Sequence, residues 1–241
     1  MRTAPRRLVA EAIGTYFLVL IGPGAAMVDV WTHGALGPPG IALAFAVVVI
    51  AMVWVFGPIS GAHINPAVTV ALWSARRFPA RDVIPYVLAQ CVGAMAASAT
   101  LRAIMGPVGQ LGATVPLIAV PAAFAVEWLL SFVLMLVILA AARGVPVGLT
   151  VGLCALAAGP LTGASMNPAR SFGPALVAGV WRAHWIYWIA PMTAMVAAAW
   201  VHRLLSQIRA NRRDTAFVAT KSDEPDMRSA EICGSRIQPS E

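Results

Sequence analysis

Charge is what this chain has least of. Charged residues fill 11% of its 241 positions, against about 25% in an ordinary soluble domain. Lysine occurs once, at Lys221, so nearly all of the 17 basic side chains are arginine. From Ile41 to Trp73 the only titratable side chain is His63. A soluble core does not call for several runs of this kind. A bilayer span does, because it needs about 20 apolar residues with few charges. Cysteine is also scarce: Cys91, Cys154 and Cys233 stand far apart. That spacing gives neither a disulfide framework nor a thiolate metal site. No nucleophile with a base, no paired acid and base and no cluster of metal ligands is present, which argues against a membrane enzyme and against any cofactor or metal.

The formal net charge is +7, but its placement speaks for a membrane rather than for nucleic acid. Arg2, Arg6 and Arg7 precede the first apolar run, and Arg76, Arg77 and Arg81 follow the second. Arg143 lies between later runs, and Arg203, Arg209, Arg212 and Arg213 follow the last. The remaining connections carry only Arg102 and Arg182 near their edges. Positive residues collect on the cytoplasmic side. Both termini are therefore expected in the cytoplasm, with an even number of spans between them. The basic start followed by an apolar stretch also resembles a signal peptide. Glu11 inside that stretch and the sequence Gly22-Pro23-Gly24 make a poor cleavage context.

What the chain does have is a repeat. Residues 57–69 read GPISGAHINPAVT and residues 159–171 read GPLTGASMNPARS, an ungapped offset of 102. Such self-similarity marks two halves built as one supersecondary unit. In each copy Asn-Pro follows a hydrophobic run, with Asn suited to cap a helix and Pro to its first position. Paired Gly/Pro-interrupted segments in a membrane protein point to the transport path.

The expected fold is all-α, with six transmembrane helices and two re-entrant half-helices in an inverted repeat. The spans are expected at about residues 8–30, 40–56, 82–105, 122–142, 147–158 and 184–205. The half-helices are expected at about 65–74 and 167–177. The fifth span ends at a Gly159-Pro160 break, so the loop after it is expected to complete the crossing. Residues 106–121 form a Gly/Pro-rich external connection. Residues 1–7 are read as a cytoplasmic N-terminus and 8–205 as the channel domain, with repeat one at about 8–105 and repeat two at about 119–205. Residues 206–241 are read as a disordered cytoplasmic tail. Three spans and a half-helix per repeat is an odd count, so the second repeat must be inverted. The two half-helix N-termini should then meet near the midplane.

Backbone outside a helix is tolerated at membrane depth only against protein or a water-filled cavity. The approaches to Asn65 and Asn167 are thus expected to line water with their carbonyls. The two Asn side chains should offer amide donors there, and the helix N-termini should add positive potential. Arg170, three residues after Asn167, either snorkels to the surface or lines the pore, and its place beside the second Asn-Pro favours the pore. Glu11 and Glu127 start spans one and four at matching places, where an isolated buried carboxylate would be expensive; a proton or ion relay is one reading of them. His63 has no partner at metal-ligand spacing and is read as a loop brace. Gly93/Ala97 and Gly148/Gly152 permit close helix packing.

At these residues the chain resembles the aquaporin (major intrinsic protein) family. The resemblance rests on the doubled boxes Asn65-Pro66-Ala67 and Asn167-Pro168-Ala169. It extends to Ala10-Glu11-Ala12-Ile13-Gly14-Thr15, to Val126-Glu127 and to Arg170, covering about residues 8–205. It implies a passive channel in the cell membrane whose partners are the lipid bilayer and the water or small neutral solutes that pass, and a homotetramer with one pore per subunit. It gives Glu11 and Glu127 a structural role. It also implies an external selectivity filter at Phe45, Ala155, Ala164 and Arg170. Strict water channels carry histidine where Ala155 stands, so the opening should be wider and should admit glycerol, urea or undissociated metalloid acids. Ser171, Ala175, Tyr187 and Trp188 resemble the water branch instead, and the small-residue filter resembles the plant nodulin-like branch. The resulting expectation is a water channel with a widened filter that excludes protons and ions. A glycerol or metalloid facilitator with little water flux and an ion-coupled secondary transporter are the alternatives.

Overall fold

The computed structural model describes residues 4–141 and 144–222. Eight α-helices follow one another among them: α1 (Ala4–Trp31), α2 (Gly37–Ser60), α3 (Pro66–Ser74), α4 (Val83–Met105), α5 (Val120–Ala141), α6 (Gly144–Thr162), α7 (Pro168–Ala178) and α8 (Ile186–Ser222). Six of these, with α8 counted over Ile186–Gln207, are long and apolar enough to cross a membrane. The short helices α3 and α7 carry the two boxes at their N-termini. The sequence expectation therefore holds in kind and order.

Helix ends differ from that expectation for a physical reason. Both α2 and α6 run through their Gly-Pro pair, to Ser60 and Thr162. Pro58 and Pro160 each remove one backbone donor, a loss of a single hydrogen bond that leaves the helix to run two residues further to its end. Gly61 (φ 90°) and Gly163 (φ 87°) then end the two helices in left-handed conformation. Their N–H groups close the turn on the carbonyls of Gly57 and Gly159, the usual way a helix C-terminus is capped. Helix α6 thus has 19 residues, about 28 Å at 1.5 Å per residue. It crosses a hydrocarbon layer of about 30 Å unaided, and the following loop is free for another task.

The structure divides into a body up to His202 and a segment from Arg203. Helical conformation continues to Ser222, within the stretch expected to be a tail without regular structure. The rest of that stretch, and Cys233, fall outside the described residues, as does Arg143.

Within the body, α1 packs on α2 and α4, α6 on α2 and α5, and α7 on α4. Small residues make the approaches close. A methyl group on Gly93 would lie 2.1 Å from the carbonyl oxygen of Ala12, and one on Gly148 would lie 2.5 Å from that of Ala46. The Gly93 and Gly148 spacings therefore join α1 to α4 and α2 to α6 inside the subunit. Leu18, Phe45, Val49, Leu134, Met166 and Met195 belong to one buried apolar cluster. Large apolar side chains such as Trp54, Ile84, Ile104, Leu153 and Trp200 point outward instead. Such a surface is costly in water and suited to lipid.

Candidate functional site

The half-helices meet N-terminus to N-terminus. Asn65 caps α3, its Oδ1 accepting from the Ala67 N–H at 2.9 Å. Asn167 caps α7, accepting from Ala169 at 3.0 Å and Arg170 at 3.2 Å. Each amide then reaches across. Asn65 Nδ2 donates to the Met166 carbonyl and Asn167 Nδ2 to the Ile64 carbonyl, both at 2.8 Å. One N–H of each Asn is thus spent on locking the repeats together. The second N–H of each is not used in this exchange.

The loops leading into the boxes are held in a conformation that side chains disfavour. Ala62 (φ 46°) and Ile64 (φ 42°) are left-handed, and so are Ala164 (φ 41°) and Met166 (φ 51°). For residues with a Cβ this costs about 1–3 kcal/mol each unless the surroundings enforce it. Two buried carboxylates enforce it. Glu11 accepts from the Ser60 hydroxyl (2.7 Å), the N–H groups of His63 (2.9 Å) and Ile64 (2.6 Å), and Gln90 Nε2 (2.8 Å). Glu127 accepts from the Thr162 hydroxyl (2.7 Å) and the N–H groups of Ser165 and Met166 (both 2.9 Å). Every partner is a donor, and such charge-assisted bonds are the stronger kind. The Tyr86 and Tyr187 hydroxyls donate to the carbonyls of Ser60 (2.9 Å) and Thr162 (2.7 Å), pinning the end of each preceding helix.

His63 braces the first loop from its own side. Thr69 spends its single hydroxyl hydrogen on the Asn65 carbonyl (3.1 Å), so His63 Nδ1 must be the donor to Thr69 Oγ1 (3.1 Å). The ring also meets Phe78 and Tyr86 edge to face or tilted, at 4.7 and 5.1 Å. Arg7 lies over those same two rings and pairs with Asp82 at 3.2 Å. In the second loop the corresponding position is Ser165, whose hydroxyl donates to the Asn167 carbonyl and contacts Ser171. Thr114, from the connection between the repeats, donates to Ser171 at 2.7 Å.

A cavity of about 300 Å³ runs past both boxes. Its walls are mostly apolar, among them Val49, Leu72, Leu134 and Val151, with one polar stripe formed by the loop residues 61–65 and 164–167. Phe45, Ala164 and Arg170 line it, as do both Asn residues and His63. Ala155 is half-buried on α6, packs against the apolar cluster and is not among the lining residues. Arg170 is 4% exposed, so it does not snorkel to the surface. Its guanidinium sits 5.2 Å from the centre of the Phe45 ring, within cation–π range. Its Nη1 donates to the Gly112 carbonyl at 2.9 Å.

A family profile described as Major intrinsic protein matches residues 2–202. The chain belongs to the major intrinsic protein family. It is 43% identical to nodulin-26 of Glycine max over 210 residues, 83% of this chain and 78% of that one. It is 42% identical to the probable aquaporin AqpM of Archaeoglobus fulgidus over 242 residues, covering 85% and 98% of the two chains. Its fold matches the X-ray structure of the aquaglyceroporin from Plasmodium falciparum with a TM-score of 0.72 at 25% identity, over 81% and 94% of the two chains. Like its relatives, this major intrinsic protein is a multi-pass membrane channel for water and small solutes, not an enzyme.

Several parts of the site in this major intrinsic protein escape a sequence reading. Gln90 and Gly112 carry no local signal, because their partners lie 79 and 58 residues away. The two tyrosines do leave a trace. Tyr86 follows Ser60 by 26 residues and Tyr187 follows Thr162 by 25, a near-match between repeats that spacing alone could have found.

Proposed function

We propose that this chain is a passive channel for water with a widened external filter, which also conducts glycerol, urea and undissociated metalloid acids and excludes protons and ions. The observation that carries this reading is the cavity, where Phe45, Ala164 and Arg170 face a common space with Asn65 and Asn167. A neutral solute entering it exchanges its hydration for the Arg170 donors, the loop carbonyls and the Asn amides. A cation meets the guanidinium and then two helix N-termini, each carrying partial positive charge. Ala155 does not itself line the cavity but stands one turn beyond Val151, which does, and an alanine there leaves out both the bulk and the donor with which a histidine would reach into that space. Glu11, Glu127 and His63 act as braces for the conducting loops. Each carboxylate oxygen already accepts from at least one donor, four in all for Glu11 and three for Glu127, which supports bracing over holding a coupling ion. The chain resides in the cell membrane with both termini cytoplasmic, as the arginine placement supports, and works as a homotetramer with one pore per subunit.

The test is a permeability series in proteoliposomes across water, glycerol, urea and arsenous acid. All four are expected to pass. Ala155→His is expected to lower glycerol and urea flux more than water flux, by about tenfold or more in ratio, since even one methylene discriminates on that scale in a pocket. Equal loss of all fluxes would remove Ala155 from the filter. Passage of glycerol and arsenous acid without water would favour the facilitator alternative.

A further inference from the structure

The segment Gly22-Pro23-Gly24 interrupts the apolar run of α1, and all three residues are buried, yet none lines the cavity. Each of the first two abuts one half of the filter. A methyl group placed on Gly22 would lie 2.2 Å from Phe45 Cε1 and 2.6 Å from two further ring atoms. No methyl fits at such distances, so the ring occupies space that only glycine leaves open. Pro23 lies against Gly112, where a methyl group would meet the Pro23 Cα, Cβ and carbonyl oxygen, each at 2.8 Å. Gly112 is the residue whose carbonyl holds Arg170. Just before it, Gly109, Gln110 and Leu111 are all left-handed (φ 52°, 52° and 57°), and the Leu111 side chain is fully buried in a cluster with Met27 and Leu101. The external connection is therefore plugged onto α1 rather than draped across the surface.

We propose that Gly22 and Pro23 are specificity-determining positions that act at one remove: Gly22 seats the Phe45 ring, and Pro23 seats Gly112 and through it Arg170. Two adjacent residues of α1 thus fix the separation of ring and guanidinium, and with it the aperture. They are positioning residues and touch no permeant. The proposal rests on the filter role given above to Phe45 and Arg170. A side chain at position 22 pushes the ring away from α1, and the free space on its other side is the cavity. The aperture narrows, and a three-carbon polyol suffers before water does.

Proteoliposomes of the full chain test this through the ratio of glycerol to water permeability. Gly22→Ala is expected to lower that ratio about tenfold, as a methylene-scale change of pocket shape does. The same substitution in a Phe45→Ala background is expected to leave the ratio unchanged, because no ring remains to be displaced. Gly57→Ala, whose added methyl meets nothing within 4 Å, serves as the control without effect. An unchanged ratio in Gly22→Ala would overturn the proposal. So would an equal fall with and without the Phe45 ring, which is what a general packing defect gives. Should Gly22→Ala fail to reach the membrane, Gly112→Ala carries the test through cation leak, measured beside Arg170→Val. Leak in both variants is expected. Leak in Arg170→Val alone overturns the Pro23 arm, whereas a tight Arg170→Val overturns the filter reading on which that arm stands.

Discussion

The two loops that meet in this channel share a backbone, a carboxylate and a cap, and differ in the side chains that pack behind them. Both have a left-handed residue on either side of the middle one, His63 or Ser165, a buried glutamate bonded to successive N–H groups, an Asn cap and a tyrosine hydroxyl bonded to the preceding helix end. Around the first loop the remaining contacts come from an imidazole, two aromatic rings and Gln90. Around the second they come from the hydroxyls of Ser165, Ser171 and Thr114. The carboxylate and the cap set the path of the chain, and the other braces are interchangeable chemistry filling the space behind it. The difference with consequences for transport is at one position. Val68 in the first box corresponds to Arg170 in the second, so only the second box carries a charge of its own, while Arg77 lines the same cavity from beyond the first half-helix.

The largest expected effect is loss of either carboxylate. Glu11→Ala strands four donors and Glu127→Ala three. Each buried donor left without a partner costs about 1–3 kcal/mol. Thermal unfolding in detergent should show both variants destabilised and Glu11→Ala more so. Equal losses would mean that Gln90 adds nothing to the first loop. Next comes the asymmetry of charge. Arg170→Val is expected to raise proton or cation conductance in planar bilayers about tenfold or more, the scale of one charge-assisted hydrogen bond of about 1.5–3 kcal/mol. Val68→Ala should leave exclusion intact; leak from both would erase the distinction between the boxes. The smallest effect concerns the side braces. His63→Ala, which removes a hydrogen bond and two ring contacts, is expected to cost about 2 kcal/mol. Ser165→Ala, which removes hydroxyl contacts alone, should cost about 1 kcal/mol. The reverse order in thermal unfolding would show the hydroxyl chain to be the tighter support.

Much of this frame is written in the sequence because it is local. The Asn-Pro pairs announce caps, and the repeat announces their pairing. The arginine bias with an odd number of elements per repeat implies inversion. Phe45, Ala164 and Arg170 come from the family resemblance, which implies their distances from the boxes, and all three line the cavity. The rest depends on contacts between segments far apart in the chain. Gly112 stands in a connection that reads as an ordinary external loop, yet its carbonyl holds Arg170. Gly22 and Pro23 read as features of a poor cleavage site, yet their neighbours are Phe45 and Gly112. Helix α6 runs past the Gly159-Pro160 pair to Thr162, because a proline removes one hydrogen bond without ending a helix, and the left-handed Gly163 ends it instead.

The central claim is that the meeting of the two boxes forms a passive path for water that stays closed to protons. Stopped-flow shrinkage of proteoliposomes, with a pH-sensitive dye enclosed, measures both properties together. Rapid osmotic water flow that does not saturate, with no accompanying change in internal pH, is the result this account predicts. Saturable, proton-dependent solute flux without osmotic water flow would contradict it and point to a coupled transporter.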